Sequence, residues 1–220
     1  MFGKLRPVMA AIWRAPASAL VKAGVHPNAV TIVGTVGVIA GAIVFLPRGG
    51  TALFWGALII TFFVITDMLD GTMARLSGKS SRLGAYLDST LDRMADAAIF
   101  GALVWGFRID EPSTALAALM CLTLGSFVPY AKARAASLGI ETVNGIAERS
   151  DRLVIGLTAT GLVGLGLPLI VLTVTLWLLA AAAAFTVGQR TRSVVKVQME
   201  ENRARSETSA ASAPTDGASN

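Results

Sequence analysis

The sequence predicts an all-α integral membrane protein with six transmembrane helices and an N-terminal interfacial amphipathic helix. Three observations predict it. First, 54% of the 220 residues are hydrophobic and only 15% are charged, with a mean hydropathy of +0.64, a balance that suits a lipid-embedded chain and excludes an ordinary soluble domain. Second, six apolar runs long enough for a membrane helix are separated by short breaks rich in Gly, Pro or charge. Third, all but Arg48 and Arg108 of the 19 Lys and Arg residues fall on one side of a six-span layout when Arg93 is counted with that side, the asymmetry expected of a cytoplasmic face. The length leaves room for one membrane domain, residues 1–199, and a polar tail.

Residues 1–22 mix Phe2, Leu5, Val8, Met9, Ile12, Trp13, Leu20 and Val21 with Lys4, Arg6, Arg14 and Lys22. A helix lying in the membrane plane fits that mixture, and no cleavable signal peptide is read in it. The break Gly24-Val25-His26-Pro27-Asn28 precedes the first span, residues 29–46, with Asn28 or Thr31 as the expected cap. His26, the lone histidine, is given no role. Gly34, Gly37 and Gly41 give that span a small-residue face for close packing. A turn over Pro47-Arg48-Gly49-Gly50 leads to the second span, 52–75, and the polar loop 77–82 to the third, about 84–107. The fourth covers 114–136, the fifth about 150–166 and the sixth about 169–188, with Pro168 at the last turn. Beyond about 200 the chain is rich in Ser, Ala and Thr, and residues 200–220 are expected to be a disordered tail. Cys121 is the single cysteine and sits in an apolar run, which excludes a disulfide framework.

The chemistry lies between the second and third spans. Asp67, Asp70, Gly71, Ala74, Arg75, Gly84, Asp88 and Asp92 follow one another at fixed spacings. Asp67 and Asp70 share one helix face, and Asp88 and Asp92 share a face of the next. A hairpin of the two helices brings four carboxylates together. Left unpaired in a membrane, they cost on the order of 10 kcal/mol. Cations at the interface would offset that cost, and short oxygen ligands without His or Cys suit Mg²⁺ or Mn²⁺ rather than Zn²⁺. Two such ions would clamp a pyrophosphate during transfer at phosphorus. Asp96 continues the same face one turn deeper, where a hydrogen bond to a neighbouring helix is the preferred reading.

The pattern Asp-x2-Asp-Gly-x2-Ala-Arg-x8-Gly-x3-Asp-x3-Asp resembles the signature of the CDP-alcohol phosphotransferase family, with no departure over 26 residues. That resemblance implies displacement of CMP from CDP-diacylglycerol by another alcohol at the cell membrane, and a homodimer. It implies metal ligation by Asp67, Asp70, Asp88 and Asp92, with Asp92 also accepting the proton of the attacking hydroxyl. It implies CDP-diacylglycerol contacts at Asn28, Ala29, Val30, Thr31, Gly71, Arg75 and Ser81. The site would face the cytoplasm.

Lys132, Arg134, Arg149, Arg152 and Arg190 cluster at the cytoplasmic ends of the last three spans. They suggest a phosphorylated acceptor, against the plainer reading of positive-inside loading. Their setting, with Tyr130, Glu148 and Gln189, resembles the actinobacterial phosphatidylinositol phosphate synthases, which implies inositol 1-phosphate as acceptor. A phosphatidylglycerophosphate synthase using glycerol 3-phosphate is the nearest alternative. A divalent-cation transporter is the alternative from another class, opposed by acids at one membrane face and by Arg75 among them. No nucleic-acid partner is expected.

Overall fold

The structure, a computed structural model, describes residues 6–78, 81–142, 145 and 148–211. Among these, the side chains of residues 6–13, 67, 68 and 207–211 are outside the description. The described residues form seven α-helices: α1 (Arg6–Lys22), α2 (Pro27–Phe45), α3 (Thr51–Ser77), α4 (Arg82–Phe107), α5 (Pro112–Ser137), α6 (Arg149–Gly164) and α7 (Ile170–Ala211). A 3₁₀ turn, Leu46–Arg48, extends α2. Gly49 and Gly50 then take positive φ of 66° and 52°, a reversal that residues with a Cβ rarely adopt.

Helices α2, α3, α6, α7, α5 and α4 pack in that order around a closed ring. Inside it Val38, Ile60, Phe100, Leu103, Cys121, Leu157, Leu172 and Leu176 form one apolar core. Helix α1 lies outside the ring against α3, burying Ala17 with Leu69 and Met73. The outer surface carries exposed Val33, Trp55, Phe62, Trp105, Leu178 and Phe185, as expected where the neighbouring phase is hydrocarbon rather than water.

Among the described residues, four helices are long and apolar enough to cross a membrane: α2 extended through Arg48, α3, α5 and α7. Helix α4 carries Asp88, Asp92, Arg93 and Asp96 in its first half, and α6 has only 16 residues. Charge in one and shortness in the other keep them out of that set, so four of the six expected spans have the length and apolarity of a membrane helix.

Two local expectations are corrected. The α2 cap is His26, whose Nδ1 accepts from the Asn28 N–H at 3.2 Å, rather than Asn28 or Thr31. Pro27 opens the helix, so the residue before it already has the extended backbone a cap needs. The second concerns the tail, since α7 runs on to Ala211 through residues expected to be disordered from 200. Gln198, Glu200, Glu201, Arg203, Ala204 and Arg205 are good helix formers, and no Gly or Pro follows Gly188 before Pro214. A Lys196–Glu200 pair at 3.8 Å and a Gln198–Asn202 bond at 3.1 Å add exposed i,i+4 support. Residues 212–220, the rest of the expected tail, lie outside the described residues.

The small-residue face of α2 packs as expected. A Cβ on Gly37 would lie 2.5 Å from the Phe63 ring, and one on Gly41 would lie 3.1 Å from Ile59. Gly37→Val is expected to cost about 1–3 kcal/mol by overpacking the α2–α3 seam. Gly101→Ala, where a Cβ meets nothing within 4 Å, is expected to be near neutral. Thermal unfolding of the two purified variants in detergent checks the pair.

Candidate active site

The site is built where α3 ends and α4 begins. Gly78 closes α3 at φ 65°, its N–H returning to the Ala74 carbonyl. Ser81 opens α4, its hydroxyl accepting from the Gly84 N–H at 3.0 Å. The reversal sets Asp88 within charge-interaction range of both Asp70 and Asp92. Three of the four expected ligands therefore share one electrostatic neighbourhood. Asp67 lies on α3 one turn before Asp70, and its side chain is outside the described residues. Asp88 is exposed, while Asp70 and Asp92 are partly buried.

Helix α2 supplies the adjoining wall. Thr31 Oγ1 donates to the Asp70 carboxylate and lies 3.3 Å from the Pro27 carbonyl. Gly84 faces Asn28 and Ser81, and a Cβ there would stand 3.4 Å from Asn28 Oδ1 and 3.2 Å from Ser81 Oγ. Gly71 is exposed, with open space where a Cβ would be. This open backbone matches a surface approached by a ligand better than a packed helix seam. Arg75 is exposed and reaches Thr72 Oγ1 at 3.3 Å. Ala29 and Val30 line an apolar cavity of about 300 Å³ between α1, α2 and α3, together with Leu20, Val25, Thr66 and Leu69. Ser81 thus serves first as the α4 cap, and its hydroxyl retains a proton to donate.

The opposite wall is ionic. Arg149 of α6 forks across two carboxylates of α4, with Nη1 2.6 Å from Asp92 and Nε 3.0 Å from Asp96. Arg152 Nη2 meets the other Asp96 oxygen at 2.9 Å. Asp96 therefore hydrogen-bonds another helix, the preferred reading of its position, though that helix, α6, stands across the ring from α4 rather than beside it. Asp96 and Arg152 are 5% and 1% exposed, so each charge depends on the other for compensation. Gly125 of α5 makes room for the Arg152 guanidinium, since a Cβ there would sit 2.8 Å from its central carbon. Arg190, 3% exposed, donates to the Val128 carbonyl and interacts with the charge of Glu148.

The five cations expected to meet the acceptor thus divide. Arg149, Arg152 and Arg190 turn inward onto protein acceptors, and Lys132 and Arg134 stand exposed at the end of α5. Gly125 and Arg93 are the residues the sequence reading passed over. Nothing local marked Gly125. Arg93 carried a signal, a cation one residue past the motif on a helix expected to cross the membrane.

Among the described residues, no three acidic, His or Cys side chains close up tightly enough to hold a single metal ion. The donor chemistry nonetheless fits a hard divalent cation. Such ions are commonly held by one or two carboxylates, with waters and substrate phosphates completing the shell. Asp70, Asp88 and Asp92 offer only carboxylates, with Asp88 close enough to repel each of the other two.

Comparison with known proteins identifies the family. The model of the CDP-alcohol phosphatidyltransferase family matches residues 24–188. The phosphatidylinositol phosphate synthase of Streptomyces avermitilis is 46% identical over 205 residues, covering 90% of this chain and 82% of that protein. Two crystal structures of the Mycobacterium tuberculosis phosphatidylinositol phosphate synthase superpose with TM-score 0.77. One, with CDP-DAG bound, is 40% identical and covers 84% of this chain and 94% of that one. The other, in complex with manganese and citrate, is 39% identical and covers 83% and 88%. The matched stretch holds every carboxylate of the motif together with Arg149 and Arg152. With three-quarters of its length accounted for in this way, the chain belongs to the CDP-alcohol phosphatidyltransferase family.

Proposed function

We propose that this protein is a phosphatidylinositol phosphate synthase. It transfers the phosphatidyl group of CDP-diacylglycerol to inositol 1-phosphate and releases CMP. The observation that carries the reading is the carboxylate group of α3 and α4, walled by Thr31 and Asn28 on one side and by Arg149 and Arg152 on the other. The names and ligands of its relatives support it.

In this reading α2, α3, α4, α5, α6 and α7 all cross the cell membrane, α1 lies in its plane, and the carboxylates face the cytoplasm. Positive-inside loading supports the orientation. At about 1.5 Å per residue, the 42 residues of α7 span roughly twice the hydrocarbon thickness, so its polar end emerges on that same side. The protein works as a homodimer.

Asp67, Asp70, Asp88 and Asp92 hold Mg²⁺ or Mn²⁺, two ions in all. Bound there, the ions supply charge neutralisation at the pyrophosphate and lower the barrier to deprotonating the acceptor. Thr31 fixes the Asp70 carboxylate. Asn28, Gly71, Arg75 and Ser81 receive the nucleotide, and the apolar cavity beside Ala29 and Val30 receives acyl chain. An Asp92 oxygen takes the hydroxyl proton as the acceptor oxygen bonds to phosphorus and the pyrophosphate bridge breaks. Arg149 holds the Asp92 carboxylate in place while that happens.

CMP release by purified protein with CDP-diacylglycerol and Mg²⁺ tests the assignment. Release is expected with inositol 1-phosphate and to be lost with inositol, and chelation by EDTA should abolish it. Release with glycerol 3-phosphate but not with inositol 1-phosphate would replace the assignment with its nearest alternative.

A further inference from the structure

Arg93 follows Asp92 on α4, yet it does not complete the ionic wall. Its Nη2 stands 3.8 Å from Asp92, a loose pairing, and its Nε and Nη1 are buried without a hydrogen-bond partner among the described residues. Arg152 is in the same condition on one edge. Nη2 is taken by Asp96, while Nε and Nη1 are buried and without a partner among the described residues. The two guanidiniums lie within charge-interaction range of each other.

That combination is costly. Buried donors of a charged group lose their hydration without return, and two neighbouring cations repel. Among the described residues, the ion pairs of Arg93, Arg149 and Arg152 run to Asp92 and Asp96, three guanidiniums on two carboxylates. An oxyanion with several acceptor atoms satisfies both deficits at once, and phosphate matches the planar fork of Arg. These donors lie on α4 and α6, where Arg152 reaches across to Asp96, whereas the proposed nucleotide contacts Asn28, Gly71 and Arg75 are on α2 and α3. The Arg93 side chain is 32% exposed and that of Arg152 1%, so the Arg93 end of the pair is the one nearer solvent.

We propose that Arg93, with the free edge of Arg152, seats the phosphate group of the acceptor beside Asp92. This rests on the phosphorylated-acceptor reading above and adds to it a residue on α4. Arg93 thereby helps discriminate a phosphorylated acceptor from its phosphate-free counterpart.

Thermal stabilisation of purified protein in detergent tests the idea without requiring turnover. The probes are inositol 1-phosphate, glycerol 3-phosphate, inorganic phosphate and, as a folding control, CDP-diacylglycerol. The wild type should be stabilised by at least one phosphate probe. Arg93→Gln should weaken binding of that probe about tenfold or more, as the loss of a charge-assisted bond implies, while retaining the CDP-diacylglycerol shift. Should Arg93→Gln lose the CDP-diacylglycerol shift as well, Arg93→Lys decides. It must recover that shift and bind phosphate more weakly than the wild type, or the proposal fails. A wild type stabilised by glycerol 3-phosphate but not by inositol 1-phosphate overturns the acceptor assignment and leaves the phosphate seat standing. Unchanged phosphate binding in Arg93→Gln, or no phosphate effect on the wild type, overturns the seat itself.

Discussion

Asp92→Asn is expected to lower turnover by about 10²–10⁴-fold, the range for removing a positioned general base, in a protein that still folds. The substitution keeps the size and planarity of the side chain, so its oxygen can still accept from Arg149. It removes the capacity to take the acceptor's proton and weakens the negative charge offered to a cation. The fold does not hang on this residue, because Arg149 retains Asp96 at 3.0 Å and Arg152 keeps the other oxygen of Asp96. CMP release beside thermal unfolding in detergent separates the two consequences. Wild-type turnover in the variant would remove Asp92 from the base role.

Asp96→Ala should produce the opposite profile, with stability lost first. It strands Arg152, 1% exposed, with no carboxylate against it, and frees one arm of Arg149. Removing one member of a buried pair destabilises by about 3–5 kcal/mol, because the remaining charge stays dry and unpaired. Replacing both members by apolar residues, as in Asp96→Leu with Arg152→Met, should recover much of that stability. The double variant should remain inactive, since it lacks the guanidinium beside the acceptor. Unfolding in detergent for the two single variants and the double variant reads the cycle. Wild-type stability in Asp96→Ala would mean that Asp96 is not the counter-charge of Arg152.

What could be read from the sequence was what local chemistry governs. Apolar runs bounded by Gly and Pro mark helix ends, and Gly49, Gly50 and Gly78 do take the positive φ that a reversal or helix stop needs. The carboxylate spacing on α3 and α4 was legible for the same reason, since side chains three or four apart on a helix share a face. The partners of Asp96 were not legible, because Arg149 and Arg152 are 53 and 56 residues away and only ring closure brings α6 to α4. Cations read as open to an acceptor proved partly committed to Asp92, Asp96 and Val128. Positive charge near a site looks the same in sequence whether it faces solvent or a buried carboxylate. The end of α7 was missed because a polar, Ser- and Ala-rich composition suggests disorder, while Glu, Gln, Arg and Ala carry strong helix propensity.

Mn²⁺ binding to the purified protein, followed by electron paramagnetic resonance, tests most directly whether α3 and α4 share a divalent-cation centre. The wild type should take up Mn²⁺, and CDP-diacylglycerol should tighten it, since phosphate oxygens complete the metal shell. Asp88→Asn, which removes the carboxylate interacting with both Asp70 and Asp92, should weaken uptake about tenfold or more in a folded protein. Mn²⁺ binding in Asp88→Asn equal to that of the wild type would contradict the shared centre and the transfer chemistry built on it.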